Sequence, residues 1–239
     1  MDIAVSYHES LTKLQALDWP QDGPFDRLEW FGLLGPVLAA MAERGDERVL
    51  LPLRREHDHL ASLTYWFSFS WRPLGRSQAL LTALARDLRR QAGRIVLAPV
   101  PGEDGSADAL EQAFHKAGWL VFRSACDENH VLPVEGRSFA EYWAARPGKM
   151  RTTLKRKARK VEVKILTRFD EAAWADYQAV YAQSWKPREE RADILEAFAR
   201  AEGAAGRIRL GLAYAAGEPV AAQFWTVEGG TAYIHKLAH

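Results

Sequence analysis

The feature that most constrains this chain is a run of three strand-like segments at its end, residues 207–215, 220–227 and 231–238. Only AGEP and EGG separate them. Links that short join antiparallel neighbours, because parallel strands need a long crossover. The last third of the sequence therefore predicts a three-stranded meander. Residues 138–145 and 149–160 read as helices in front of it, 161–167 as a strand, 170–185 as a helix capped by Asp170, and 188–202 as a helix stopped by Gly203.

The first half follows a similar rhythm. Residues 25–44 read as a helix opening after Pro24. Segments 48–54 and 60–71 read as strands joined through Glu56-His57-Asp58, with Tyr65, Phe67, Phe69 and Trp71 on one face and Trp66, Ser68 and Ser70 on the other. Residues 77–91 form an amphipathic pattern between Ser77 and Gly93, 94–100 a strand, 106–117 a helix closed by Gly118, and 119–124 and 130–134 short strands. The order predicts an α/β (α+β) chain of two modules, residues 1–135 and 136–239, each a mixed sheet flanked by helices.

Charge is concentrated rather than spread. Residues 146–161, RPGKMRTTLKRKARKV, hold eight basic side chains and no acid in a chain of formal net charge +1. Met150, Leu154, Ala158 and Val161 recur at helical spacing, so the stripe is expected to pack down and leave the cations outward. Such a helix suits an anionic ligand. Lys149, Arg151, Lys155 and Arg156 are the candidate phosphate contacts, against the alternative of a solvated helix face.

A single cysteine, Cys126, excludes an internal disulfide and a cysteine-based zinc site and predicts a reducing compartment. Asp2, His8 and Glu9 interrupt any signal-peptide core, and the longest uncharged apolar run, 31–42, contains Pro36 and is too short to span a bilayer. A cytoplasmic protein is expected, with transient contact to an anionic membrane surface open to the basic helix. His57 and His59 lack a third ligand, so no metal is expected.

These residues resemble a known family. The order of elements in each half is similar to the GNAT acyltransferase fold, and the tandem arrangement is similar to the FemAB-like group with its CelD-type acetyltransferase domain. KMRTTLKRKARKV running into VEVKIL, YAQSWKPREE, and the strands GEPVAAQFW and TAYIHKLAH carry the likeness, with FSFSWRPL fitting more loosely. The resemblance implies an acyltransferase using acyl-CoA, with an amine of a sugar or cell-envelope or polysaccharide precursor as acceptor. In that fold the last strand is followed by a loop and helix that cradle the donor's pyrophosphate. The second module is therefore expected to be incomplete after its third meander strand.

The resemblance places the reaction centre near the end of the last strand, and so implicates His235 and Lys236. An imidazole titrates near neutrality and can take an amine proton. Strict alternation lets only one of the two face a cleft. Gln223 is polar in mid-strand and is a candidate to orient the acceptor. Trp185 and Lys186, held by Pro187 at a helix end beside Tyr181, suit stacking on a sugar with charge contact to phosphate. Tyr65, Trp66 and Ser68 are further substrate-binding candidates, against a plain core role for that strand.

Two rival functions remain open. A Fem-like transferase takes its donor from aminoacyl-tRNA, which a cationic helix could grip, although balanced net charge argues against nucleic acid. A non-catalytic binding protein or scaffold made from the same fold is the other. The exposed edge of the meander also allows a homodimer.

Overall fold

The computed structural model describes residues 2–239. The chain forms two compact units that meet in sequence at Glu128 and Asn129. Each is a mixed α/β unit with one sheet flanked by helices. Among the described residues no helix is long and apolar enough to cross a membrane.

In the N-terminal unit a five-stranded sheet has the order β1-β2-β3-β4-β5, with β1 at Ala4–His8, β2 at Leu38–Arg44, β3 at Glu47–Arg55, β4 at Leu60–Ser62 and β5 at Ile95–Val96. The β4–β5 pair is parallel and the other three are antiparallel. The segment expected as one helix over 25–44 divides into a short helix, α1 (Leu28–Leu33), and strand β2. Pro36 cannot continue a helix, and Gly35 at φ 109° turns the chain out of it. Beyond that break LAAMA is apolar on both faces and pairs with the equally apolar β3, a pattern that periodicity alone cannot tell from a buried helix.

The expected strand over 60–71 is also shorter. After Ser62 the chain turns, because Ser68 Oγ accepts from Tyr65 N at 3.0 Å while Ser68 N donates to Tyr65 O at 2.8 Å. Such side-chain bonds compete with ladder pairing. The aromatic stripe is thus a packed cluster rather than a strand face: Phe25 meets Trp30 and Phe69, and Tyr65 meets Phe67. Trp71 is fully buried and donates Nε1–H to Pro52 O at 2.9 Å. Helix α2 (Gln78–Leu88) buries Leu80, Leu81, Leu84 and Leu88 and packs on β2 and on helix α3 (Ser106–Lys116). The expected strands at 119–124 and 130–134 do not form: no sheet pairs them among the described residues, and Leu120, Phe122 and Val131 lie exposed.

The C-terminal unit holds helices α4 (Phe139–Ala144) and α5 (Gly148–Ala158), then strand β6 (Glu162–Leu166), helices α6 (Glu171–Gln183) and α7 (Ala192–Ala204), and the meander β7 (Ile208–Ala215), β8 (Glu218–Glu228) and β9 (Thr231–Ala238). The sheet is antiparallel throughout in the order β6-β7-β8-β9. Left-handed Ala216 and Gly217 close one hairpin and Gly229 and Gly230 the other, matching the turn chemistry of AGEP and EGG. Helix α7 runs through Gly203 instead of stopping there. A Cβ at that position would lie 2.5 Å from Phe169 Cβ, so this glycine serves close packing.

One face of the sheet carries the core. Ile208, Leu210, Leu212, Ala222 and Phe224 are buried beneath Trp174, Tyr177 and Val180 of α6 and Ile194, Leu195 and Phe198 of α7. The other face leaves Val163, Ile165, Ile234 and Leu237 exposed.

Candidate active site

Strand β9 is not regular at His235 and Lys236. Trp225 pairs with Ile234 and Phe224 with Lys236, which leaves His235 as an extra residue opposite the β8 ladder. This is a β-bulge, and it resets the alternation. His235 and Lys236 are consequently both buried on the helix-covered face, whereas strict alternation predicts opposite faces. Leu237 returns to the outer face opposite Gln223.

The bulge places His235 within the core. Its ring packs against Phe198 and Phe224, with centroids at 5.2 and 5.0 Å, and Nε2 shares a 2.8 Å hydrogen bond with Thr226 Oγ1. Burial, with the Lys236 charge beside it, lowers its pKa to about 3. At neutral pH the imidazole is uncharged and its affinity for a proton is weak, the opposite of what a general base requires.

Lys236 is differently placed. Its Nζ lies 2.5 Å from Glu189 Oε2, with 4% of the lysine and 7% of the glutamate side chain exposed. Burial depresses the Lys236 pKa, and the Glu189 carboxylate works against that shift. Nζ also lies 5.9 Å from the centre of the Tyr181 ring. Burial and the Glu189 charge both raise the phenol pKa of Tyr181 and of the deeply buried Tyr177. Among the described residues the Tyr177 hydroxyl has no hydrogen-bond partner.

The segment between α6 and α7 supplies this arrangement. Ser184 ends α6 in an extended conformation and its Oγ donates to Tyr181 O at 2.7 Å. Trp185 then projects into solvent, 79% exposed, with Lys186 Nζ 5.9 Å from its ring centre. Arg188, Glu189, Glu190, Ala192 and Asp193 line an open surface depression. Glu189 is among the residues lining this depression, while its Oε2 is buried in the ion pair with Lys236.

Of the residues expected from sequence, the fold brings Tyr181 and Lys186 near Lys236, which pairs with Glu189. Gln223 lies on the outer face, where its Oε1 accepts from Trp225 Nε1 at 3.0 Å. Tyr65, Trp66 and Ser68 belong to the turn of the N-terminal unit. Lys149, Arg151, Lys155 and Arg156 lie on α5, none of whose residues is buried. The stripe expected to pack down stays half-exposed, 50% at Met150 and 51% at Leu154. Sequence reasoning missed Glu189, which falls in an irregular stretch where no periodicity marks an inward side chain. It missed Tyr177 too, whose place four residues before Tyr181 on α6 was the available signal.

The N-terminal unit has a separate small cavity of about 100 Å³, lined in part by Asp22, Asp26, Arg72, Arg76 and Asp104. Arg72 joins Asp26 at 2.7 Å to Asp104 at 3.0 Å. Burial pushes Asp26 up to about 6 even with that guanidinium beside it.

Residues 148–239 match the family model of the acetyltransferase (GNAT) domain. The matched stretch opens on the first residue of α5 and takes in α6, α7 and the whole four-stranded sheet. The match supports a GNAT fold for this region and acyl transfer as its general chemistry. No curated protein matches the chain.

Proposed function

We propose that the C-terminal unit is a FemAB-like, CelD-type N-acyltransferase, moving an acyl group from acyl-CoA to a primary amine on an amino sugar or another cell-envelope or polysaccharide precursor. The observation that carries this reading is the buried Lys236–Glu189 pair inside the stretch that matches the acetyltransferase model.

Acyl transfer needs an uncharged amine nitrogen beside a thioester carbonyl, and a group to take the proton that the nitrogen loses. In this reading Glu189 accepts that proton and Lys236 holds the carboxylate in place. The nitrogen forms the new C–N bond, the C–S bond breaks, and the departing thiolate takes up, through solvent, the proton that Glu189 gives back, which restores the carboxylate. His235 stays neutral and fixes the bulge through Thr226 and the two phenylalanine rings. Trp185 and Lys186 offer an exposed ring and ammonium to a sugar acceptor. Helix α5, through Lys149, Arg151, Lys155 and Arg156, is an anion-recognition element.

The test is incubation with acetyl-CoA and a panel of free and nucleotide-linked amino sugars, with the acylated amine identified by mass spectrometry. N-acetylated product that depends on both substrates supports the reading. Thiol release without an acylated amine, or no turnover with any acceptor and donor pair, overturns it.

A further inference from the structure

Helix α5 combines two properties that a solvated helix face does not need together. It carries no acid, and the basic side chains from Lys149 to Lys160 are exposed. Among the described residues no carboxylate pairs with them. At the same time Met150 and Leu154, one turn apart, lie half-exposed on the same helix. Helical spacing sets Lys157 on one side of that stripe and Arg151 and Lys155 on the other. The preceding helix α4 buries nothing either: Phe139 is exposed and stacks on Trp143, while the Arg146 guanidinium lies 4.5 Å from the centre of the Tyr142 ring.

We infer that α5 docks the protein onto an anionic bilayer surface, with Met150 and Leu154 seated among the headgroups and the flanking cations on lipid phosphates and carboxylates. A cationic helix with an apolar stripe lies in the plane of such an interface and gains from both terms. A nucleic-acid backbone would use the cations but leave the methionine and leucine in water, so the apolar stripe decides between the two partners. The inference rests on reading α5 as an anion-recognition element, not on acyl transfer. It names the anion.

Vesicle flotation tests it with the whole chain, in the absence of any acyl donor. The protein should float with phosphatidylcholine vesicles containing phosphatidylserine and not with phosphatidylcholine alone. The triple variant Lys155→Glu, Arg156→Glu, Lys157→Glu should lose at least about a hundredfold in partitioning. The variant Met150→Ser, Leu154→Ser keeps every charge and should lose about tenfold at the same ionic strength. Neither variant touches a buried residue, and far-UV circular dichroism verifies their folding. Equal binding to neutral vesicles overturns the inference, as does wild-type partitioning by the double serine variant. Release from the vesicles by soluble acetyl-CoA would make α5 a phosphate site instead. Binding of polyuridylate without vesicle binding would make it a nucleic-acid surface. Vesicle binding without acyl transfer would sink the transferase reading alone, and transfer without vesicle binding would sink this one alone.

Discussion

Lys236 and Glu189 meet at 2.5 Å with both side chains withdrawn from solvent, one on the last strand and the other between α6 and α7. The pair ties an irregular connection to the sheet. It exists in this form because His235 bulges out of the ladder and turns Lys236 inward. Without the bulge, alternation would place His235 and Lys236 on opposite faces.

A buried pair responds asymmetrically to mutation, because removing one partner strands the other charge. Lys236→Met or Glu189→Leu alone should destabilise the protein by about 3–5 kcal/mol. The double variant should recover much of that loss. Urea unfolding of the four proteins in a double-mutant cycle measures the coupling; additive losses would mean that the two side chains do not depend on each other.

His235 should make the protein sensitive to acid. Its pKa falls from 6.5 to about 3 on folding, so below pH 6.5 the unfolded chain binds a proton that the native chain refuses. The stability it contributes is present above that pH and lost as pH falls towards 3. Relative to His235→Gln, the wild type should lose up to about 1.4 kcal/mol per pH unit across that window. Parallel stability curves for the two proteins would contradict the buried neutral ring.

Asp26 works in the other direction. Its carboxyl rises from 3.8 to about 6 on folding, so the native state holds the proton more tightly than the unfolded chain. The associated stability is complete below the lower value and disappears as pH rises through the upper one. Asp26→Asn does not titrate, and should gain about 3 kcal/mol on the wild type between acid and neutral pH. A stability difference that does not change with pH would show that Arg72 compensates the buried charge fully.

Gly203 faces Phe169 so closely that a side chain has no room, whereas nothing lies within 4 Å of a Cβ at Gly148. Gly203→Ala should cost about 1–3 kcal/mol through overpacking, while Gly148→Ala should be neutral or stabilising by helix propensity. Thermal melting separates them. Equal melting temperatures would remove the packing role of this glycine.

The meander was the most legible part of the fold, since AGEP and EGG prescribe hairpins wherever they stand between apolar alternating segments. Helix α6 is readable from its cap Asp170, which accepts from Ala173 N at 2.8 Å. Ser77 makes no capping bond, and α2 and α3 are readable from their apolar residues and the glycines that follow them. The failures share a cause. LAAMA reads as helix because an apolar run buried on both faces has no period. The segment after Ser62 reads as strand from its alternation, whereas Ser68 turns it back locally. At the site, Lys236 and Tyr181 were accessible from the sequence, but their meeting with Glu189 was not. A bulge cannot be seen in an alternating pattern, and a glutamate in an irregular connection carries no sign of pointing inward.

Proton acceptance by Glu189 is tested most directly by the initial rate of acetyl transfer from acetyl-CoA to an amine, measured for the wild type and for Glu189→Gln, a near-isosteric change that keeps the hydrogen-bonding side chain and is verified as folded by circular dichroism. The wild type should show an amine-dependent rate and the variant should lose at least about a hundredfold, the scale of a missing proton acceptor. A folded Glu189→Gln protein that transfers at the wild-type rate would contradict that role.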